Sequence, residues 1–331
     1  DKQVILVKHQ NEGHLTPYFY FALEEYLLNE VLQDGETYFF TWVIKGVVIG
    51  KNQIIENEVN LDYLKAHKIK LFRRPTGGGT VYADEENTMF SLITKRNEAF
   101  SFKSHLSHIV LAMDKLGVKL EFSGRNDLLF DGKKMSGNAF LQNKNGMLLH
   151  GTFLYNCDLE TMVRAITPSD EKLVSKGISS VRSRVVNLKP FLNGLTQNEV
   201  ISHLEETLTN KTYVLSEAEV AMLLKRAEKY AAKEFIYRQQ AEYTKNVRGR
   251  IPGGFFDFKI LLKEGYIKNL EITGDFFHLQ PLAPLEAAFR GVLYNKPELE
   301  KVFQSLPLKE YFLDVDKILF KNLFMEGIIE T

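Results

Sequence analysis

The chain has 331 residues, 44% hydrophobic and 25% charged, enough for a sizeable core and for two domains or one domain with a smaller appendage. Lysine plus arginine and aspartate plus glutamate each number 42, and this balance argues against a protein built around a nucleic-acid backbone. The one cysteine, Cys157, excludes an internal disulfide and fits a reducing compartment. No apolar run approaches the ~20 residues of a membrane span. Residues 1–30 lack the arrangement of a signal peptide, and a first residue Asp1 rather than Met is expected of a trimmed or cleaved chain. The expected location is the cytoplasm.

In chain order, residues 18–32, "YFYFALEEYLLNEVL", carry apolar side chains at helical spacing. The β-branched and aromatic stretch "ETYFFTWVIKGVVIG" reads as strands. "ENEVNLDYLKAHKI" predicts a short helix leading into the strand "KLFRR", and "TVYA" and "TMFSLIT" predict strands after the glycine run Gly77–Gly79. Residues 104–116 predict a helix closed by Gly117 in a left-handed cap. Asp131-Gly132 and Asn145-Gly146 separate three alternating runs, which predicts a meander with tight turns. Strict alternation there would put Lys134, Ser136 and Asn138 on one face and Met135, Gly137 and Ala139 on the other. Residues 173–190 are polar, basic and weakly patterned, and read as a long surface loop. Helices are expected near 196–209 and 216–236, and Arg248, Gly249, Pro252, Gly253 and Gly254 read as a linker. Beyond it come a hairpin turning at Glu264-Gly265 and helices starting near Pro284, Pro297 and Val315.

Several of these residues could carry chemistry. Three consecutive glycines are more than an ordinary turn demands, so a tight turn, a phosphate cradle or the wall of a narrow ligand slot all stay open. Backbone N–H groups beside Arg73 and Arg74 would make an anion site. Lys134 sits on a strand beside small residues, where a compact positive charge could meet a phosphate or carboxylate. Asn126 and Asp127 suit a turn, polar recognition of a sugar or base, or a carboxylate holding Mg²⁺. His150 and Thr152 share a strand face, where a lone histidine is more often structural than a ligand. Asp158 beside Cys157 would raise the thiol pKa, which argues against a nucleophile. The chain has no P-loop motif, no G-x-G-x-x-G, no zinc-spaced ligands, no H-E-x-x-H and no G-x-S-x-G.

Four blocks in order, "RRPTGGGTVYAD", "GRNDLLFDGKKMSGNAF", "HGTFLYNCDL" and "SKGISSVRSRVVNL", resemble the lipoate–protein ligase A family. The resemblance covers roughly the first 240 residues and continues in "GGFFDFKILLKEGYIKNLEITGDFF" and "APLEAAF". It implies an α/β (α+β) catalytic domain like that of biotin–protein ligases, with a mixed, mostly antiparallel sheet, over 1–245. A small α+β accessory domain would occupy 246–331. It implies that Gly77, Gly78 and Gly79 bind lipoate, that Arg74 contacts the nucleotide, and that Thr80, Val81 and Tyr82 adjoin it. Lys134 would be the catalytic residue, touching lipoate and the adenylate phosphate, with Asn126 and Asp127 near the nucleotide and Asp127 near Mg²⁺. His150 and an adenylate-binding loop with Lys176, Gly177, Ser180, Val181 and Arg182 complete the implied site. One departure is visible, because the family's glycine motif commonly ends in Phe-His-Asp where this chain has Tyr82-Ala83-Asp84.

The resemblance further implies ATP and Mg²⁺ as cofactors, lipoate as substrate and a lipoyl-AMP intermediate. Its implied partners are apo lipoyl domains of 2-oxoacid dehydrogenase acyltransferase subunits or a glycine-cleavage carrier, with no nucleic acid and no membrane. Three alternatives stand beside it: an ATP-independent octanoyl or lipoyl transferase acting through Cys157, an activating enzyme that needs a helper transferase, and a non-catalytic binder of lipoate.

Overall fold

In "ETYFFTW" the two-residue period sends Phe40 and Trp42 to one side of a sheet and Phe39 to the other, and all three are buried. The computed structural model describes residues 3–95, 101–124, 126–166, 171–238 and 241–328. The chain divides into two units. One is made of Asp1–Val48, Glu58–Arg74 and Thr80–Ile236, the other of Ile49–Asn57, Pro75–Gly79 and Tyr237–Thr331.

The first unit holds strands β1 (Gln3–Lys8), β2 (Glu36–Trp42), β3 (Gly46–Ile49), β4 (Leu71–Arg73), β5 (Val81–Ala83) and β6 (Asn87–Thr94). It continues with β7 (Leu120–Ser123), β8 (Asp127–Phe130), β9 (Lys133–Asn143), β10 (Gly146–Leu154) and β11 (Lys211–Val214). Eight of them form a mixed sheet in the order β11-β1-β2-β6-β10-β9-β8-β7, and β4-β3-β5 form a small one. Within the large sheet the β1–β11 and β1–β2 pairings are parallel and the other five antiparallel, so it is mostly antiparallel as expected.

One sheet face is covered by the helix Pro17–Tyr26, whose Pro17 at the first position and Thr16 cap start it cleanly. Trp42 stacks on Tyr20 at 5.4 Å, and Phe40, Phe21 and Leu23 fill the same core. The expected helix continues through Leu27–Val31 as a π-helical turn. Across the sheet Phe102, on the helix Phe102–Asp114, meets Phe140 edge-on at 5.5 Å. The β8–β9 turn has both Asp131 and Gly132 left-handed (φ 51° and 75°), as a tight hairpin requires.

Residues 173–190 do not form a long loop. Glu171–Arg184 is a helix, and Val174, Ile178, Val181 and Val185 form its apolar stripe against Val163. Its polar remainder hid that stripe.

In the second unit β12 (Lys245–Ile251), β13 (Gly254–Lys263) and β14 (Tyr266–Phe276) form an antiparallel sheet. The expected linker at 248–254 is therefore the β12–β13 hairpin, its proline and glycines marking the turn. Phe256 stacks on Phe276 at 4.9 Å and meets Phe320, on the helix Lys317–Met325, edge-on at 5.2 Å. The Glu264-Gly265 turn and helices starting at Ala283, Lys296 and Lys317 match expectation. Among the described residues no helix is long and apolar enough to cross a membrane.

Candidate functional site

The centre of the first unit's polar face is made by an irregularity. Leu128 pairs with Ser136 but Leu129 pairs with Lys134, so Met135 is an extra residue in β9. Facing residues share a side, and Leu128 and Leu129 point opposite ways; Lys134 and Ser136 therefore do too. This overturns the expected sorting and puts Lys134 on the face of Gly137, together with Asp127, which pairs with Gly137. Lys134 Nζ lies 3.3 Å from Asp127 Oδ1, with both side chains partly exposed. A Cβ on Gly137 would stand 2.8 Å from Lys134 Cε and 2.9 Å from its Nζ, so the lysine lies across bare backbone. Thr152 on β10 fixes that backbone by accepting a 3.0 Å hydrogen bond from Gly137 N–H.

Asn126 and Asn138 clasp each other. Each side-chain amide donates to the other's carbonyl, at 3.0 and 2.9 Å, and anchors the start of β8. His150 shares Thr152's face deeper in the sheet, and its Nδ1 lies 2.8 Å from Glu24 Oε2. The same oxygen accepts from Ser91 Oγ at 2.7 Å, and Ser91 accepts from Trp42 Nε1–H at 2.9 Å. Glu24 is fully buried. The sequence reading missed it, although a carboxyl between Phe21 and Leu28 on one helical stripe was a signal.

Arg73 and Arg74 are both buried rather than solvated. Arg73 donates through Nε to the Phe235 and Ile236 carbonyls at 3.1 and 3.0 Å, which makes it a structural clamp. Arg74 points Nη1 at the Val48 carbonyl, 3.5 Å away. Thr80 is partly exposed, and on β5 Val81 pairs with Val48 of β3 and Tyr82 with Val47 of β3. Burial, then the nearby Asp84, raises the Tyr82 phenol above its ordinary pKa.

The helix Glu171–Arg184 reaches β9 at Lys134, whose carbonyl accepts from Val186 N–H at 2.9 Å. On it Lys176 and Arg182 are exposed, Gly177 and Ser180 partly so, and Val181 is buried in the stripe described above. Cys157 is also buried. Burial first, then Asp84 and Asp158, push its thiol well above the ordinary range, where the nucleophilic thiolate is scarce. Among the described residues no three His, Cys, Asp or Glu side chains gather as a metal cluster.

Gly77, Gly78 and Gly79 belong to the second unit, where they run against β14. Gly78 N–H donates to the Phe276 carbonyl at 2.9 Å, and a Cβ on Gly77 would collide with that oxygen. Part of the reason for the glycine run is thus a close approach to the chain's own backbone.

Residues 16–209 match the family model of the lipoyl protein ligase A/B catalytic domain, and 240–324 match that of the bacterial lipoate protein ligase C-terminus. The chain is 35% identical to lipoate–protein ligase 1 of Staphylococcus aureus over 316 residues, 93% of this chain and 96% of that one. Its fold is shared with LipL1 of P. falciparum, solved in complex with lipoate, at a TM-score of 0.82 and 21% identity over 99% of this chain and 100% of that one. The bipartite lipoate protein ligase of Thermoplasma acidophilum, described with its E2 lipoyl domain, aligns at a TM-score of 0.64 and 26% identity. That alignment covers 74% of this chain and 100% of the other. With both family models matched in order and a relative aligned over nearly its full length, this chain belongs to the lipoate–protein ligase family and is a ligase.

Proposed function

We propose that the protein activates free lipoate with ATP to lipoyl-AMP and then transfers the lipoyl group to a specific lysine of an apo lipoyl domain. Residues 1–245 would carry the catalysis, with 246–331 as accessory domain. The observation that carries this reading is the β9 bulge, which lays Lys134 across the bare backbone of Gly137 beside Asp127.

Forming an amide from a carboxylate needs a better leaving group than oxide. In the first step a lipoate carboxylate oxygen attacks the α-phosphorus and pyrophosphate leaves. Lys134 and Arg74 supply fixed positive charge for the α-phosphate oxygens, where charge accumulates. In the second step the acceptor lysine's ε-amine attacks the lipoyl carbonyl, loses a proton, and AMP departs.

The mixed anhydride between the steps reacts with water, so residues flanking it must keep water out. The helix bearing Lys176, Gly177, Ser180 and Arg182 suits that task, because its C-terminal end is tied to β9 at Lys134 itself. Gly77–Gly79, Thr80, Val81 and Tyr82 complete the lipoate and nucleotide contacts, with Asn126 and His150 as fixed polar supports.

Asp127 fits a Mg²⁺ ligand because its buried Oδ1 makes no hydrogen bond among the described residues, only the ion-pair contact with Lys134. Mg²⁺ commonly binds one or two carboxylates together with substrate phosphates, and when bound it would neutralise phosphate charge. The Thermoplasma relative described with its E2 lipoyl domain supports such a domain as acceptor here, and a glycine-cleavage carrier is the second candidate. The buried, protonated Cys157 weighs against a transferase working through a cysteine thioester.

The test is the mass of a purified apo lipoyl domain after incubation with enzyme, lipoate, Mg²⁺ and ATP. A lipoyl adduct that requires ATP is expected. An adduct formed equally well without ATP would overturn this reading in favour of a transferase.

A further inference from the structure

The seat of the glycine run against β14 involves a side chain as well as backbone. A Cβ on Gly79 would stand 2.7 Å from Asp275 Oδ2 and 3.3 Å from its Cγ, so the Asp275 carboxylate fills the place of a side chain at 79. The backbone of Asp275 and Phe276 is crowded from the other direction too. Gly254 pairs with Phe276, and a Cβ there would collide with the Asp275 carbonyl. Two further bonds tie the neighbourhood together: Lys51 N–H donates to the Thr76 carbonyl at 2.9 Å, and Gly274 N–H to the Asn52 carbonyl at 2.8 Å. β14 is thereby held between glycines, and the Asp275 side chain presses on the Gly77–Gly79 run at Gly79.

We infer that Asp275 is a positioning residue of the ligase: its carboxylate, with the Phe276 carbonyl, sets the conformation in which Gly77–Gly79 meets substrate. This rests on the reading that the run contacts lipoate and its adenylate. Asp275 touches no reacting atom; it acts through Gly79. A flexible glycine triplet samples many conformations, and holding one of them removes an ordering cost that would otherwise fall on substrate binding.

The test compares full-length wild type with Asp275→Ala, Asp275→Asn, Gly79→Ala and the double variant Gly79→Ala/Asp275→Ala. Lipoate-dependent pyrophosphate exchange gives KM and kcat, and hydrogen exchange of the Gly78 amide reports the seat directly. Asp275→Ala is expected to raise the lipoate KM about tenfold with kcat within about twofold, and to speed Gly78 exchange. Asp275→Asn, which keeps the shape, stays near wild type. Gly79→Ala has only the Asp275 carboxylate to collide with, so the double variant is expected to be no worse than Asp275→Ala alone. Unchanged KM and Gly78 exchange in Asp275→Ala, or effects that simply multiply in the double variant, would overturn the inference. If wild type itself activates no lipoate, the functional reading fails separately, and Gly78 exchange in Asp275→Ala still decides the role of Asp275.

Discussion

Lys134 and Gly137, three residues apart on β9, lie on the same face because the bulge at Met135 shifts the alternation by one. Without that extra residue the lysine would point through the sheet, away from Asp127. The Lys134→Ala variant is expected to keep its fold and lose adenylation by about 10²–10³-fold, the usual loss for one charge-stabilising donor. Lipoate-dependent pyrophosphate release, with circular dichroism as the folding control, checks this, and wild-type turnover would remove Lys134 from the chemistry.

Gly137→Ala tests the same geometry from the backbone side. The added methyl group crowds the flexible end of Lys134 and meets Thr152 Oγ1 at an ordinary 4.0 Å, so stability should change by less than about 1 kcal/mol. The amine, however, must move by a comparable distance, and adenylation should fall about tenfold or more. Melting temperature and turnover measured on one preparation separate the two effects.

Cys157→Ser should retain ATP-dependent ligation, because the thiol is buried and hydrogen-bonded to Asp84, with its pKa pushed up by burial. A stability loss of about 1 kcal/mol is expected from the buried exchange. Native protein should react with iodoacetamide far more slowly than free cysteine. Loss of all transfer in a folded Cys157→Ser protein would instead point to a thioester route.

Glu24→Ala removes the one oxygen shared by Ser91 and His150 in a fully buried network. A destabilisation of about 2–4 kcal/mol is expected, since buried polar groups lose their common partner. Urea denaturation gives the value directly. A change below about 0.5 kcal/mol would mean the network adds nothing net.

The second unit should be acid-sensitive through His278. Burial, with a contribution from Lys51, pushes this imidazole down from 6.5 to about 4, despite a hydrogen bond to the Gln280 carbonyl that opposes the shift. The unfolded chain takes up the proton near its ordinary pKa while the folded one resists. Stability is therefore fully present above about 6.5, falls as pH drops toward 4, and levels off below, by roughly 3 kcal/mol in all. A pH series of melts on wild type and His278→Gln should show that component of the slope only in wild type.

Much of this architecture could be read from residue order because local signals agreed with the final fold. "ETYFFTW" alternated, Asp131-Gly132 turned, and Pro17, Pro284 and Pro297 stood at helix starts. The errors share a different cause. Val174, Ile178, Val181 and Val185 are a thin apolar stripe in a basic segment, and composition outweighed spacing. Pro252 and Gly253 resembled a linker because hairpin turns and linkers use the same residues. The Met135 bulge was invisible because register is set by the partner strand, and one chain read alone carries no partner. Asp275 was missed for a related reason: its meaning comes from Gly79, 196 positions earlier in the chain.

The order of synthesis gives the parallel β11–β1–β2 edge a further consequence. β1 leaves the ribosome well before its partner β11, which follows some two hundred residues later, at ~10 residues per second a delay of about 20 s. During that time β1 can pair with β2 on one edge, while the open N–H and C=O groups of its other edge could template pairing with another chain. The segments Ile49–Asn57 and Pro75–Gly79 wait about as long, because the unit they belong to is otherwise made of Tyr237–Thr331. Conditions that slow translation or crowd nascent chains should therefore lower the yield of folded protein more than its equilibrium stability would suggest.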